Sequence, residues 1–171
     1  ATIVTTGTNA SGVSADNGAV TLTDSSVNTR GNASHGIFSA AAGSVTAANT
    51  TIIASGDSAS GVLADNGSVT LTDSSVNTRG NGSNGIFSGA AGNVNATNTT
   101  ILTNGENARG VFADNGKVTL TDSLVNTRNT ASVGIFSGNA GSVETTGTDV
   151  TTAGENAHAL SVNQGAISVN N

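Results

Sequence analysis

The carboxylates of this 171-residue chain recur on a strict schedule. Asp16, Asp65 and Asp114 stand 49 residues apart, and so do Asp24, Asp73 and Asp122. Paired carboxylates suggest glycoside hydrolysis, in which inverting enzymes hold them about 6.5–9.5 Å apart. Two rungs of a stacked-strand structure would separate such residues by about 9.6 Å, close to that range. Catalysis, however, needs one carboxyl with a raised pKa in surroundings unlike its partner's. These six lie in near-identical surroundings, so no catalytic residue is expected. His35 and His158 have no nucleophile constellation beyond the chance neighbour Ser34, and both read as solvated corner residues. The three Asp-Asn-Gly segments offer oxygen atoms for calcium, but the nonapeptide pattern of calcium-binding β-rolls is missing. Without cysteine there is neither a disulfide frame nor a thiolate metal site. No metal or cofactor is expected.

The elements that carry these residues are set by an internal repeat. The segment Ala10–Ala33 returns as Ala59–Gly82 with 21 of 24 positions identical, again from Ala108, and a fourth start appears at Ala157. Each 49-residue unit splits into two similar coils, because Gly12-Val13 is echoed at Gly36-Ile37, Gly61-Val62, Gly85-Ile86, Gly110-Val111 and Gly134-Ile135. The second half carries one extra residue, Ala40-Ala41-Ala42-Gly43 replacing Asp16-Asn17-Gly18. Within a coil, apolar residues alternate with a period of two, as in Val20 and Leu22 against Thr21 and Thr23, which is a strand signal. Segments rich in Gly, Asn, Asp and Ser break the alternation three times per coil. A helix is excluded, since Gly, Thr, Ser, Asn and Val dominate and no 3.6-residue stripe exists.

The reading is an all-β chain, a right-handed parallel β-helix with three-strand coils of 24 or 25 residues. It comprises six full coils plus partial end coils, one solenoid over residues 1–171. Three aliphatic ladders form its core: Val13 to Leu160, Val20 to Ile167 and Ile3 to Val150, each with one member per coil. Composition alone, with 9% charged and 2% aromatic residues, would also suit a disordered linker. The ladders exclude that reading, because order in a repeat array comes from neighbour-to-neighbour stacking. Gly18, Gly43, Gly67, Gly92, Gly116, Gly141 and Gly165 mark one corner of every coil, where a positive φ is expected. The column running Asp24, Asn49, Asp73, Asn98, Asp122 marks a second corner, with structural side-chain hydrogen bonding expected there.

Two kinds of outward column are candidate interaction sites. Phe38, Leu63, Phe87, Phe112 and Phe136 fill one column and include every Phe of the chain, predicting an outward apolar stripe about 20 Å long. The others are polar: Thr21, Thr70 and Thr119; Thr23, Thr72 and Thr121; Asn28, Asn77 and Asn126; and Arg30, Arg79 and Arg128. Repetition makes such ladders multivalent, so weak contacts sum to avidity. The net charge of −6 with five basic residues argues against a nucleic-acid surface. No apolar run is long enough for a transmembrane helix, so this segment is not expected to insert in a membrane. No signal peptide is visible, and the chain reads as mature or excised.

The phrases Gly110–Thr127 (GVFADNGKVTLTDSLVNT) and Gly85–Val111 (GIFSGAAGNVNATNTTILTNGENARGV) resemble the passenger repeats of bacterial autotransporters, the pertactin-like and AIDA-type adhesins. The likeness runs from Ile3 to Val169. The resemblance implies a β-helix exported through the outer membrane of a Gram-negative bacterium to the cell surface or medium. It implies a longer passenger, with a membrane barrel elsewhere in the full chain. It also implies adhesion or self-association, with a second copy or a host surface protein or glycan as partner. The alternatives are a passive spacer rod, an ice-binding solenoid suggested by Thr21/Thr23 and its repeats, and a glycan-active β-helix.

Overall fold

A computed structural model describes all residues, 1–171. Its twenty-one short strands fall into three parallel sheets of seven, each sheet taking every third strand in chain order. The molecule is a right-handed parallel β-helix of seven rungs. The lowest rung consists of Thr2–Thr5, Val13–Ala15 and Ala19–Thr23, and the highest of Asp149–Ala153, His158–Val162 and Ala166–Asn170. The six full coils and two partial ends of the sequence count thus join into seven rungs. The sheets are named below by their outward residues. The Arg sheet begins with Thr2–Thr5, the Phe sheet with Val13–Ala15 and the Thr sheet with Ala19–Thr23.

Parallel register puts like on like. Val27 pairs with Ile52, Ile52 with Val76, and Val76 with Ile101 in the Arg sheet. Val62, Ile86 and Val111 are consecutive partners in the Phe sheet, as are Val69, Val94 and Val118 in the Thr sheet. These ladders meet in one core of 24 buried residues. Ile3, Val20, Val150 and Ile167 extend the ladders but stay partly exposed, because they lie on or beside the end rungs, where stacking is incomplete.

The extra residue in alternate coils has a matching side chain. At the long corners, the Ser39, Ser88 and Ser137 hydroxyls donate to the carbonyls of Gly43, Gly92 and Gly141 at 2.8–2.9 Å. The short Asp-Asn-Gly corners have Ala15, Ala64 and Ala113 at the same ladder position. Each of the Gly43, Gly92 and Gly141 carbonyls also accepts a backbone N–H from the next rung, of Ser68, Lys117 and Ala166, and the hydroxyl adds a second bond that closes the longer corner. Ser therefore accompanies the long corner and Ala the short one.

The expected positive φ at the Gly18 column is overturned. None of Gly18, Gly43, Gly67, Gly92, Gly116, Gly141 or Gly165 has one. Close approach between rungs is what requires these glycines. A β-carbon on Gly43, Gly92 or Gly141 would strike the carbonyl of Ala15, Ala64 or Ala113, and one on Gly67 or Gly116 the hydroxyl of Ser39 or Ser88. Gly18, on the lowest rung, would meet nothing. Left-handed residues hold the other two corners instead: Asp24, Asn49, Asp73, Asn98 and Asp122 have φ of 47–54° with Gly147 at 57°, and Asn9, Ala33, Ser58, Gly82, Asn107, Ala131 and Asn156 have φ of 52–63°. Asp and Asn tolerate that region better than other residues with a β-carbon.

Candidate interaction surfaces

Alternation along each strand sends every second side chain outward, and register stacks those residues into flat columns. Phe38, Leu63, Phe87, Phe112 and Phe136 are consecutive partners on the outer face of the Phe sheet, all partly exposed. The rings of Phe87 and Phe112 stack at 4.8 Å between centroids and 7° between planes. Phe136 tilts against Phe112 at 5.2 Å and 47°. Ser14 and Ser161 hold the ends of the same column.

A flanking column on this sheet escaped sequence reasoning. It runs Ser60, Asn84, Arg109, Val133, His158, and His35 joins it one rung below Ser60. The Arg109 guanidinium lies 4.7 Å from the Phe112 centroid and 4.8 Å from that of Phe136, so it bridges two rings. Burial lowers the Arg109 pKa and the nearby Asp114 carboxylate opposes that, while the group stays charged. His35 was read as a solvated corner residue. In the structure it is partly buried, its ring 6.1 Å from Phe38, and its Nδ1 accepts the Ser60 backbone N–H at 3.0 Å. Burial holds its pKa below the ordinary value. Strand alternation sets residues three apart on opposite faces, so the spacing of His35 from Phe38 and of Arg109 from Phe112 gave no sign of either contact.

The Thr sheet presents the predicted polar ladders. Thr21, Thr70 and Thr119 occupy one outward column together with Thr46, Asn95 and Glu144. Thr23, Thr72 and Thr121 occupy the next, with Ala48, Thr97 and Thr146. Lys117 and Glu144 form a surface ion pair across this face at 3.0 Å. That pair and Asn95 interrupt the threonine array.

The Arg sheet carries Asn28, Asn77 and Asn126 in a column that alternates with Val4, Ile53 and Leu102. The Oδ1 atoms of Asn28 and Asn77 are buried without a hydrogen-bond partner. Arg30, Arg79 and Arg128 are fully outward at one edge of the sheet, and none of them forms an ion pair. At the other edge lies the acidic corner, where the Asn49 and Asn98 amides donate to the Asp24 and Asp73 carboxylates at 2.8 and 2.6 Å. An Asn thus separates successive carboxylates of the column. The surface has no enclosed pocket, no group of three or more metal-ligating side chains, and no helix able to cross a membrane.

The chain matches no protein-family model, no curated protein and no solved structure.

Proposed function

We propose that this chain is a contact rod, a surface-exposed segment of an autotransporter-type adhesin passenger that acts through its side-chain ladders. The single observation that carries the reading is the outward stack Phe38–Leu63–Phe87–Phe112–Phe136, continuous over five rungs and partly exposed in each. Contiguous apolar patches on a soluble surface mark contact sites. The flanking Arg109 adds a planar cation suited to carboxylate or aromatic partners. Partners of this reading are a second copy of the chain or a host surface protein or glycan. The place of action is the surface of a Gram-negative cell or the medium around it, as the autotransporter resemblance implies.

The test exploits the column's own ends. Ser occupies the same site at Ser14 and Ser161, so Phe87→Ser, Phe112→Ser and Phe136→Ser suit the strand. Adhesion of the purified chain to cells and matrix, and its sedimentation alone, are measured for the wild type and the triple variant. Loss of contact in a folded variant supports the reading. A wild type that binds no surface and remains a strict monomer removes it. A passive spacer rod is the second reading, favoured by the near-verbatim return of Ala10–Ala33 as Ala59–Gly82. Deleting one 49-residue repeat from the full protein would then leave activity unchanged.

A further inference from the structure

The outward residues of the Arg sheet follow a pattern beyond simple repetition. On alternate rungs the same line crosses the face: Asp24, Ser26, Asn28, Arg30; then Asp73, Ser75, Asn77, Arg79; then Asp122, Leu124, Asn126, Arg128. The intervening rungs are uncharged across the same positions, as in Asn49, Thr51, Ile53 and Ser55, except for Asp149 on the last rung. One edge is therefore a row of carboxylates and the other a row of guanidiniums, both stepping by two rungs, about 9.6 Å. All six side chains are exposed. The only ion pair in the molecule is Lys117–Glu144 on the Thr sheet. Asp57, Glu106 and Glu155 lie beyond the guanidinium edge on intervening rungs, and none pairs with an arginine.

We propose that this face docks a second copy of the chain, side by side and parallel. The inference rests on the contact reading above and assigns it a partner and a geometry. A two-fold axis along the rod brings the acidic edge of each copy onto the basic edge of the other, three carboxylates against three guanidiniums on both sides. A two-fold axis across the rod makes the pair antiparallel and sets acid on acid and base on base. Charge thus selects between two otherwise similar isologous pairings. It also selects register, because a slip of one rung places charged rungs against uncharged ones. Val4, Ile53, Leu102 and Leu124 provide apolar contact between the edges, and Val4 and Leu124 are among the exposed large hydrophobics. Seven rungs by the width from Asp24 to Arg30 amount to about 700 Å² per copy, near the size of a standard interface. Parallel pairing joins rods that rise from one surface and leaves the Phe and Thr sheets free.

The chain lacks cysteine, so single labels are unambiguous. Thr2→Cys and Asp149→Cys label the outward column of the Arg sheet on the first and last rungs. Parallel pairing predicts spin-label distances on the order of 10 Å between like positions and about 30 Å between unlike ones; antiparallel pairing reverses the two. Sedimentation of Arg30→Gln/Arg79→Gln/Arg128→Gln, and separately of Asp24→Asn/Asp73→Asn/Asp122→Asn, is expected to show dimerisation weakened at least about tenfold. Added salt is expected to weaken the wild type likewise. The Asn variants keep a residue suited to the left-handed corner, and unchanged thermal midpoints certify the fold. Dimers with unlike labels close together, or dimers indifferent to both triple variants, overturn the parallel face and leave the contact reading standing. A strict monomer that still binds cells or matrix also overturns only this inference, whereas one that binds nothing overturns both.

Discussion

The Ser88 hydroxyl occupies the space that a β-carbon on Gly116 would need, one rung above it, while donating to the Gly92 carbonyl at 2.8 Å. The corner hydrogen bond of one rung therefore dictates a glycine on the next. The same Asp-Asn-Gly sequence occurs at Gly18, where no rung lies beneath and the space is open. Gly116→Ala is expected to cost about 1–3 kcal/mol through overpacking. Gly18→Ala should be neutral within about 0.5 kcal/mol or slightly stabilising. Chemical denaturation of the two variants decides the matter, and equal losses would sink the stacking explanation.

Ser88→Ala isolates the other half of that relationship. The Gly92 carbonyl keeps the Lys117 backbone N–H at 2.9 Å, so the loss is one hydrogen bond and should cost about 0.5–1.5 kcal/mol. A denaturation midpoint equal to wild type would mean that the Ser/Ala alternation has another cause.

Asn129 stands where Gly31, Gly56, Gly80 and Gly105 hold the corresponding corner, and its φ is 87°. A non-Gly residue at that angle carries backbone strain. Asn129→Gly is expected to raise stability by about 0.5–1 kcal/mol, read from the shift in denaturant midpoint. A lower midpoint would contradict the prediction.

His35 accepts a backbone hydrogen bond through Nδ1 and so must be neutral there. Burial depresses its folded pKa below the ordinary 6.5. The stabilisation is then complete above about pH 6.5 and is lost as pH falls through the folded value. Thermal melts from about pH 7.5 to about pH 5 should show a decline in wild type that His35→Asn lacks. Asn84 already occupies the same column two rungs on, so Asn suits the strand. Parallel declines in both proteins would remove the assignment.

Arg109 and Phe112 form the most specific contact of the Phe sheet. A double-mutant cycle with Arg109→Ala and Phe112→Ser should return a coupling of about 0.5–1 kcal/mol. Additive losses would reduce the guanidinium to a solvated neighbour.

Much of this molecule is legible in its residue order. Val13, Ile37 and Val62 recur at one phase of the coil, and the structure pairs them as read. The Phe column was assigned outward from the alternation Val13, Ser14, Ala15, and that is where it lies. Arg109 occurs once in its column, and a search by period rewards only what repeats; His35 reads as solvated because its partner Ser60 lies 25 positions along the chain. The glycines were misjudged for a related reason. A strand sequence records which residues face in and out, but not how closely one corner overlies another.

Periodicity, three strands per coil, the inward ladders and the outward columns are properties of the chain read along its length. They follow from alternation, which needs only local geometry. The left-handed corner at Asp24 and Asn49, the steric role of Gly43 and Gly116, and the bridging of two rings by Arg109 arise between rungs. Residues about 24 positions apart come within a few ångströms only when the coils stack at about 4.8 Å. The identical line of Asp24, Asn28 and Arg30 on alternate rungs is written in the sequence, yet its reading as two opposed charged edges of one flat face belongs to the folded sheet.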